Sequence, residues 1–123
     1  MPKIKQSKAY EIPLFPAGDL YVHFADTFTQ ITDEEEIHGD YEGTSAGMWE
    51  WDGHFHVGFG TEEMTIPIIG HEAVHVANRI MAKVGVKPGL ENDETQAYLV
   101  AWVIDRILTA QRKLKVGKMK QKG

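Results

Sequence analysis

Two histidines and a glutamate in the segment His71-Glu72-Ala73-Val74-His75 have the types and spacing of a metal-dependent hydrolytic site. Residues i and i+4 lie one above the other on a helix, so His71 and His75 can each give a ring nitrogen to one ion. Glu72 lies one position round, beside the ion, where a carboxylate can take a proton from an activated water. The segment predicts a zinc site in which Glu72 is the general base.

The sequence around this segment predicts a helix over residues 66–84. Pro67 suits a first-turn position, and Gly85 is a natural stop. Between them, apolar residues recur at helical spacing. A helix there would hold both imidazoles on one face.

A third metal ligand is expected downstream, at the start of a second apolar-periodic segment. Asn92 is a good N-cap for that segment, so Glu94 falls in its first turn, where the helix dipole favours a carboxylate. Glu94 is the preferred ligand because a helix fixes its direction better than a loop does. The alternatives are Glu91, Asp93 or a histidine from elsewhere in the chain.

The HExxH segment, followed nineteen residues after His75 by the pattern Glu94-x-x-Ala97, resembles the gluzincin metallopeptidases. In size the chain is similar to the minigluzincins and to the ImmA/IrrE-type proteases of mobile elements and phages. The resemblance covers residues 47–108 and implies a zincin-like fold, bound Zn2+ and a peptide or protein substrate. It also implies that the stretch 49–60 is an edge strand that holds an extended peptide by main-chain hydrogen bonds. A phage-encoded member would act in the cytoplasm of its bacterial host.

The chain departs from the thermolysin-like gluzincins at Tyr98, one turn after Glu94, where those enzymes carry an aspartate that supports a metal-bound histidine. Tyr98 could orient a ligand, donate to an oxyanion, or pack as an aromatic in the helix face. His54 and His56, which precede the motif, could each supply a third ligand or an oxyanion donor. Both are alternatively exposed side chains of a strand.

In the residues that precede the predicted helix 66–84, the residue types and their alternation favour β structure. Residues 20–31 are predicted to form one strand, or a strand and a turn, and residues 49–59 form a second strand with Trp49, Trp51 and Phe55 on its core face. The acidic run of residues 33–36 is predicted as a solvated loop or a short helix start. The expected fold is α+β and zincin-like, with a small, mainly antiparallel sheet packed on the HExxH helix and a second long helix.

Composition sets the remaining expectations. With 123 residues, 42% of them hydrophobic, the chain is predicted to form one domain, with flexible basic tails at residues 1–10 and 113–123. It has no cysteine, so a metal must be held by nitrogen and oxygen. No signal peptide or apolar run of membrane-spanning length is evident, which predicts a cytoplasmic protein without a membrane partner.

Charge and motif together favour one function over two others. Residues 9–111 carry a net charge of −14, which argues against nucleic acid as the main ligand. The sequence predicts a zinc-dependent metallopeptidase-like hydrolase. The alternative is a non-catalytic zincin-like binding or structural protein, such as a phage accessory factor, with structural zinc or none. A weaker alternative is a regulatory protein that binds an acidic or nucleic-acid partner through its lysine-rich C-terminal tail.

Overall fold

The computed structural model describes residues 4–37 and 44–116, which form five strands and three α-helices. The N-terminal half holds the sheet, and the C-terminal half holds the two long helices. The strands are β1 (Lys5–Gln6), β2 (Tyr10–Glu11), β3 (Asp19–Ala25), β4 (Ala46–Trp51) and β5 (His54–Gly60). The helices are α1 (Phe28–Glu34), α2 (Ile66–Lys83) and α3 (Asp93–Lys113), with 3-10 turns at Thr61–Glu63 and Leu90–Asn92.

The sheet is mixed. Its order is β1-β3-β5-β4, and β2 also pairs with β3. The β1–β3, β2–β3 and β4–β5 pairings are antiparallel, as predicted for most of the sheet, whereas β3 and β5 run parallel through six paired positions. Parallel neighbours need a long crossover, and residues 26–53, which include α1 and β4, supply it. The α+β class predicted from the sequence is therefore confirmed.

The prediction of one strand over residues 49–59 was wrong, because the chain turns back at Asp52-Gly53. Asp52 (φ 53°) and Gly53 (φ 79°) are both left-handed, the requirement of a two-residue type I′ hairpin turn. The turn places Trp49 opposite His56 and Trp51 opposite His54. Both tryptophans therefore share the histidine face of the hairpin and not the core face.

The stretch 20–31, predicted as a strand with or without a turn, is a strand followed by a helix. Thr27 ends the extended segment and starts α1 with a reciprocal capping box, in which its hydroxyl accepts from the Gln30 N–H and the Gln30 side chain accepts from the Thr27 N–H. Phe28 and Ile31 then pack their buried side chains against Trp49 and the outer face of the sheet. Capping chemistry thus overrides the β-favouring composition of this stretch.

The two long helices are confirmed close to their predicted bounds. In α2, Thr65 caps the first turn, accepting at its hydroxyl from the Ile68 N–H, and Gly85 follows the end with a φ of 77°. In α3, Asn92 occupies the N-cap position, although its side-chain amide donates to the Lys87 carbonyl at 2.7 Å. Both helices pack their apolar faces on the core face of the sheet, in one buried cluster.

The ends of the chain take part in this structure where they are described. β1 lies within the predicted N-terminal tail and β2 begins at its last residue, Tyr10; both strands pair with β3. Lys5 Nζ donates to the Leu114 carbonyl at 2.9 Å, which joins the first strand to the end of α3. The last three lysines of the C-terminal tail lie outside the described residues. Within residues 4–37 and 44–116, no helix combines the length and apolar character needed to cross a bilayer.

Candidate metal centre

Helical periodicity places the two histidines of the motif and the buried apolar residues on opposite faces of α2. Ile69, Ala73 and Val76 are buried against the sheet, whereas His71 and His75 lie on the exposed side of the helix. This division follows from the spacing, because the two histidines are about half a turn from the buried stripe. Chemistry-bearing side chains are thus presented on a rigid element that the core holds in place.

The two imidazoles of the motif converge on one point. Their Nε2 atoms lie 3.2 Å apart, and their ring centroids are 4.7 Å apart. Two nitrogens bound to one tetrahedral zinc at about 2.0–2.1 Å are about 3.3 Å from each other. The His71 and His75 side chains therefore already have the separation of two ligands of one ion, and the donor set fits zinc.

Glu72 lies between the exposed face and the core. It is only 8% exposed, and its Oε2 lies 3.9 Å from His71 Nε2. Burial raises the pKa of the Glu72 carboxyl, while the nearby His71 and His75 oppose that rise. A raised pKa makes the carboxylate a stronger base, which is the property that proton abstraction from water requires.

The predicted third ligand lies on the other long helix. Glu94 is in the first turn of α3 and is exposed, and Tyr98 is 52% exposed on the same helix. α3 is fastened to α2 by a hydrogen bond of 2.6 Å from Gln96 Nε2 to Asn78 Oδ1. Among residues 4–37 and 44–116, no three histidine, aspartate or glutamate side chains already form a metal-holding group. Glu94 as the third ligand therefore stays a prediction.

His54 and His56 lie across the sheet from the motif. Their neighbours in β5, Phe55 and Val57, are fully buried in the cluster that contains the apolar face of α2, so the two histidines point to the opposite side. His54 Nδ1 accepts from the Asp19 N–H at 3.0 Å. The structure thus brings together His71, Glu72 and His75 and leaves these two histidines in a different neighbourhood.

That neighbourhood contains a histidine that the sequence analysis missed. His23 is fully buried, and its Nε2 lies 2.9 Å from His56 Nδ1. The His56 ring in turn stacks between Tyr21 and Trp49, at centroid distances of 5.1 and 5.4 Å. Burial, with a smaller contribution from His56, lowers the pKa of His23 to about 3. The available signal was the position of His23 inside the apolar strand β3.

The strand β4 lies beside the motif helix at the edge of the sheet. Within the described part of the chain, β5 is its only strand neighbour, so its second edge has no strand partner. Arg79, one turn beyond His75, faces Glu50 of β4 with 3.9 Å between guanidinium nitrogen and carboxylate oxygen. Among the described residues, an unpaired strand edge therefore borders the helix that carries the HExxH segment.

No protein-family model, curated protein or solved structure matches this chain.

Proposed function

We propose that this protein is a zinc-dependent metallopeptidase-like hydrolase. The observation that carries the proposal is the pair of imidazoles 3.2 Å apart on an exposed helix face, with a buried carboxylate in the adjacent position. The same 3.2 Å separation is also that of a hydrogen bond between two neutral imidazoles, which a metal bound by both rings would replace. The proposed site of action is the cytoplasm, and that of the bacterial host for a phage-encoded chain.

His71 and His75 would hold the metal through their Nε2 atoms, and Glu94 is the proposed third ligand. Zinc supplies Lewis-acid chemistry when bound, because it polarises a carbonyl oxygen and lowers the pKa of water. A site with three protein ligands leaves one position for substrate or water. The exposure of both histidines gives a substrate access to that position.

In this proposal Glu72 is the group that transfers the proton. Its carboxylate takes a proton from the attacking water and delivers it to the leaving amine nitrogen of the peptide. The position of Glu72 supports both steps, since its Oε2 lies 3.9 Å from His71 Nε2, beside the point where the two imidazoles converge. Its side chain is largely buried and approaches the exposed histidine pair at His71.

A peptide substrate is proposed because β4 offers main-chain groups beside the motif helix. An extended peptide can add to an open strand edge through backbone hydrogen bonds, with the specificity left to side-chain pockets. Packing of Met48 against the core that includes α2 keeps β4 and this helix next to each other, and Arg79 faces Glu50 across them. A peptide lying on β4 would thus pass along the helix that holds His71 and His75.

The test compares the wild-type protein with Glu72→Gln. The proposal predicts that both bind about one zinc per chain and that only the wild type cleaves a mixture of unfolded proteins, detected as new N-termini. Glu62→Gln is a matched control at an exposed carboxylate outside the motif, and it is expected to keep full cleavage. Cleavage that persists in Glu72→Gln would remove the mechanism.

A non-catalytic metal-binding or structural protein is the second candidate. Tyr98 favours it, because this 52% exposed side chain stands one turn after Glu94, where the thermolysin-like gluzincins carry a supporting aspartate. Under this candidate, zinc binding raises the unfolding temperature, and wild type and Glu72→Gln are equally inactive on all substrates. Zinc bound without cleavage in both proteins would therefore select it over the hydrolase.

A further inference from the structure

The free edge of β4 has the composition of a strand that can pair with another strand. Within the described residues β5 is the only strand beside it, and the β4–β5 register runs without interruption from Ala46 to Trp51. Residues 45–51 contain no proline, lysine or arginine, the residues that most often block the edge of a sheet. Glu50 is the one charged residue of the strand, and Arg79 faces its carboxylate at 3.9 Å. The edge therefore remains able to accept a further strand.

The hydrogen bonds to β5 show which main-chain groups of β4 point outward. The Gly60 N–H donates to the Ser45 carbonyl at 2.9 Å, and these two residues lie next to the Ala46–Phe59 pair of the register. Bonded pairs alternate with non-bonded pairs in an antiparallel ladder, so the groups of every second residue point away from β5. The residues whose N–H and C=O groups reach the open side are Ala46, Met48 and Glu50.

The side chains of this segment change from small to large along the strand. Alternation places Ser45 and Gly47 on the same face as Trp49 and Trp51, and Trp51 is 64% exposed. A second copy of the strand, antiparallel about a two-fold axis at Met48, brings position 45 opposite 51 and position 47 opposite 49. Each indole then lies against serine or glycine of the other copy, and aromatic rings stabilise strand glycines by covering them in this way.

The two neighbouring registers fit less well. A two-fold axis at Trp49 pairs Met48 with Glu50 and leaves the outward groups of Ala46 without a partner. An axis at Glu50 places two carboxylates directly opposite each other, which destabilises a strand pair. The axis at Met48 avoids both faults, because it joins all three outward residues in three bonded pairs with two hydrogen bonds each.

We propose that β4 pairs with β4 of a second copy of this chain, antiparallel about a two-fold axis at Met48. The interface is isologous, since the same edge serves both copies and the two sheets become continuous. Pairing through one strand edge lies at the low end of interface sizes, below about 1,200 Å², so the dimer forms weakly and reversibly. Carboxylates lie near this edge in each copy, so salt, which screens their repulsion, favours the dimer; they are Glu34, Glu35, Glu36 and Glu50.

Self-pairing has a consequence for access to the candidate metal centre, and only this consequence rests on the proposed function. A peptide substrate on β4 and a second copy of the chain need the same outward main-chain groups. The dimer is then the form that excludes the peptide, so cleavage per chain falls as the protein concentration rises. The strand pairing requires no metal.

The experiment is sedimentation equilibrium of the full chain from about 10 µM to about 1 mM, in EDTA so that no metal joins two copies. We expect a monomer–dimer equilibrium with a dissociation constant of roughly 0.1–1 mM that decreases several-fold at high salt. Glu50→Pro removes an outward N–H that an edge strand can lose without losing its own pairing, and it should weaken the dimer at least about tenfold. Glu50→Ala keeps the N–H and should dimerise at least as tightly as the wild type.

Two further measurements test the same interface without Glu50→Pro. In amide hydrogen exchange of the wild type, the outward amides of Ala46, Met48 and Glu50 should gain protection as concentration rises, whereas amides that bond to β5 should not change. The chain has no cysteine, so a single introduced cysteine can form a disulfide only between copies. Under mild oxidation Met48→Cys should cross-link faster than Trp49→Cys or Glu50→Cys, because only position 48 lies opposite itself.

A protein that stays monomeric at every concentration, a Glu50→Pro dimer as tight as that of Glu50→Ala, or outward amides whose protection ignores concentration would each overturn the inference. Fastest cross-linking of Trp49→Cys would overturn the axis at Met48. If the wild type binds no zinc and cleaves nothing while the dimer forms, the proposed function fails and the pairing stands. Cleavage per chain that stays constant as the dimer forms would overturn the consequence for substrate access.

Discussion

His23 Nε2 and His56 Nδ1 lie 2.9 Å apart, which makes two adjacent strands share one proton between two imidazoles. A second proton on this pair would place positive charge where burial opposes it, and burial lowers the pKa of both groups. Glu35, 3.5 Å from His23 Nδ1, is exposed enough for solvent to screen its charge. The pair is therefore held neutral in the folded protein.

We predict that the protein loses stability as pH falls below about 6.5. The pKa of His23 is about 3 in the folded protein and 6.5 in the unfolded chain, so between these values the unfolded state binds more protons. The stabilisation is fully present above pH 6.5 and decreases by roughly 1 kcal/mol per pH unit down to about pH 3. Urea unfolding at pH 7.5, 6.5, 5.5 and 4.5 measures this slope.

The matching variant is His23→Gln, which cannot titrate and should flatten the slope between pH 6.5 and 4.5. His54→Gln, a partly exposed histidine on the same face, should retain most of it. A wild-type stability that is flat across this range would show that the His23–His56 pair is not held neutral.

Zinc binding should depend on the two histidines of the motif and on one acidic residue of α3. Loss of a metal-bound side chain should exceed the roughly 10- to 100-fold loss of metal affinity typical of outer-shell substitutions. We expect His71→Ala and His75→Ala to lose zinc on dialysis, as measured by elemental analysis, and His54→Ala, across the sheet, to retain it. Parallel Glu91→Ala, Asp93→Ala and Glu94→Ala variants identify the third ligand, which we expect to be Glu94. Full zinc retention in His75→Ala would show that the HExxH segment does not hold the zinc.

Two glycine-to-alanine substitutions should change stability in opposite directions. A Cβ at Gly60 would lie 2.8 Å from the Phe28 backbone nitrogen, so the start of α1 must move, at a cost of about 1–3 kcal/mol. A Cβ at Gly70, inside α2, would meet nothing within 4 Å, and the better helix propensity of alanine should stabilise by up to about 1 kcal/mol. Thermal unfolding of both variants measures this, and equal effects of the two would contradict the packing of α1 on the sheet.

Glu36→Gly should stabilise the end of α1. Glu36 has a φ of 52°, and the Ile37 N–H closes the helix end on the Thr32 carbonyl at 2.9 Å, an arrangement in which glycine is usual. Relief of the left-handed conformation should exceed the entropy cost of glycine by about 0.5 kcal/mol. Glu34→Gly removes the same charge from a helical position and should destabilise by about 1 kcal/mol. A destabilised Glu36→Gly in urea unfolding would contradict this account.

The helical part of the fold was predictable because its signals are local. Pro67 and Gly85 bracket the apolar periodicity of α2, and Asn92 marks the start of α3. The convergence of His71 and His75 also follows from helical geometry alone. These features depend on residues within a few turns of each other, which the sequence shows directly.

The sheet was harder to predict because its signals compete or act over long separations. The Asp52-Gly53 turn lies within an alternating pattern that continues through it, so one strand and a hairpin have nearly the same alternation. The Thr27 capping box lies inside a run of β-favouring residues, so the composition of the stretch predicts a strand where α1 begins. The parallel pairing of β3 with β5, and with it the burial of His23 beside His56, joins residues more than thirty positions apart and has no local sequence signal.

The long crossover between β3 and β5 has a consequence for how such a protein can diversify. It contains none of the residues of α2 or α3, and it contains all the described side chains that line a cleft between α1 and β4, namely Glu34, Glu35, Glu36, Ile37, Trp49, Glu50 and Trp51. Insertions and substitutions in connecting segments are tolerated far better than changes in packed helices. The side chains around this cleft and the HExxH segment are thus encoded in separate, consecutive stretches of the gene, so that one stretch can vary while the other is inherited intact.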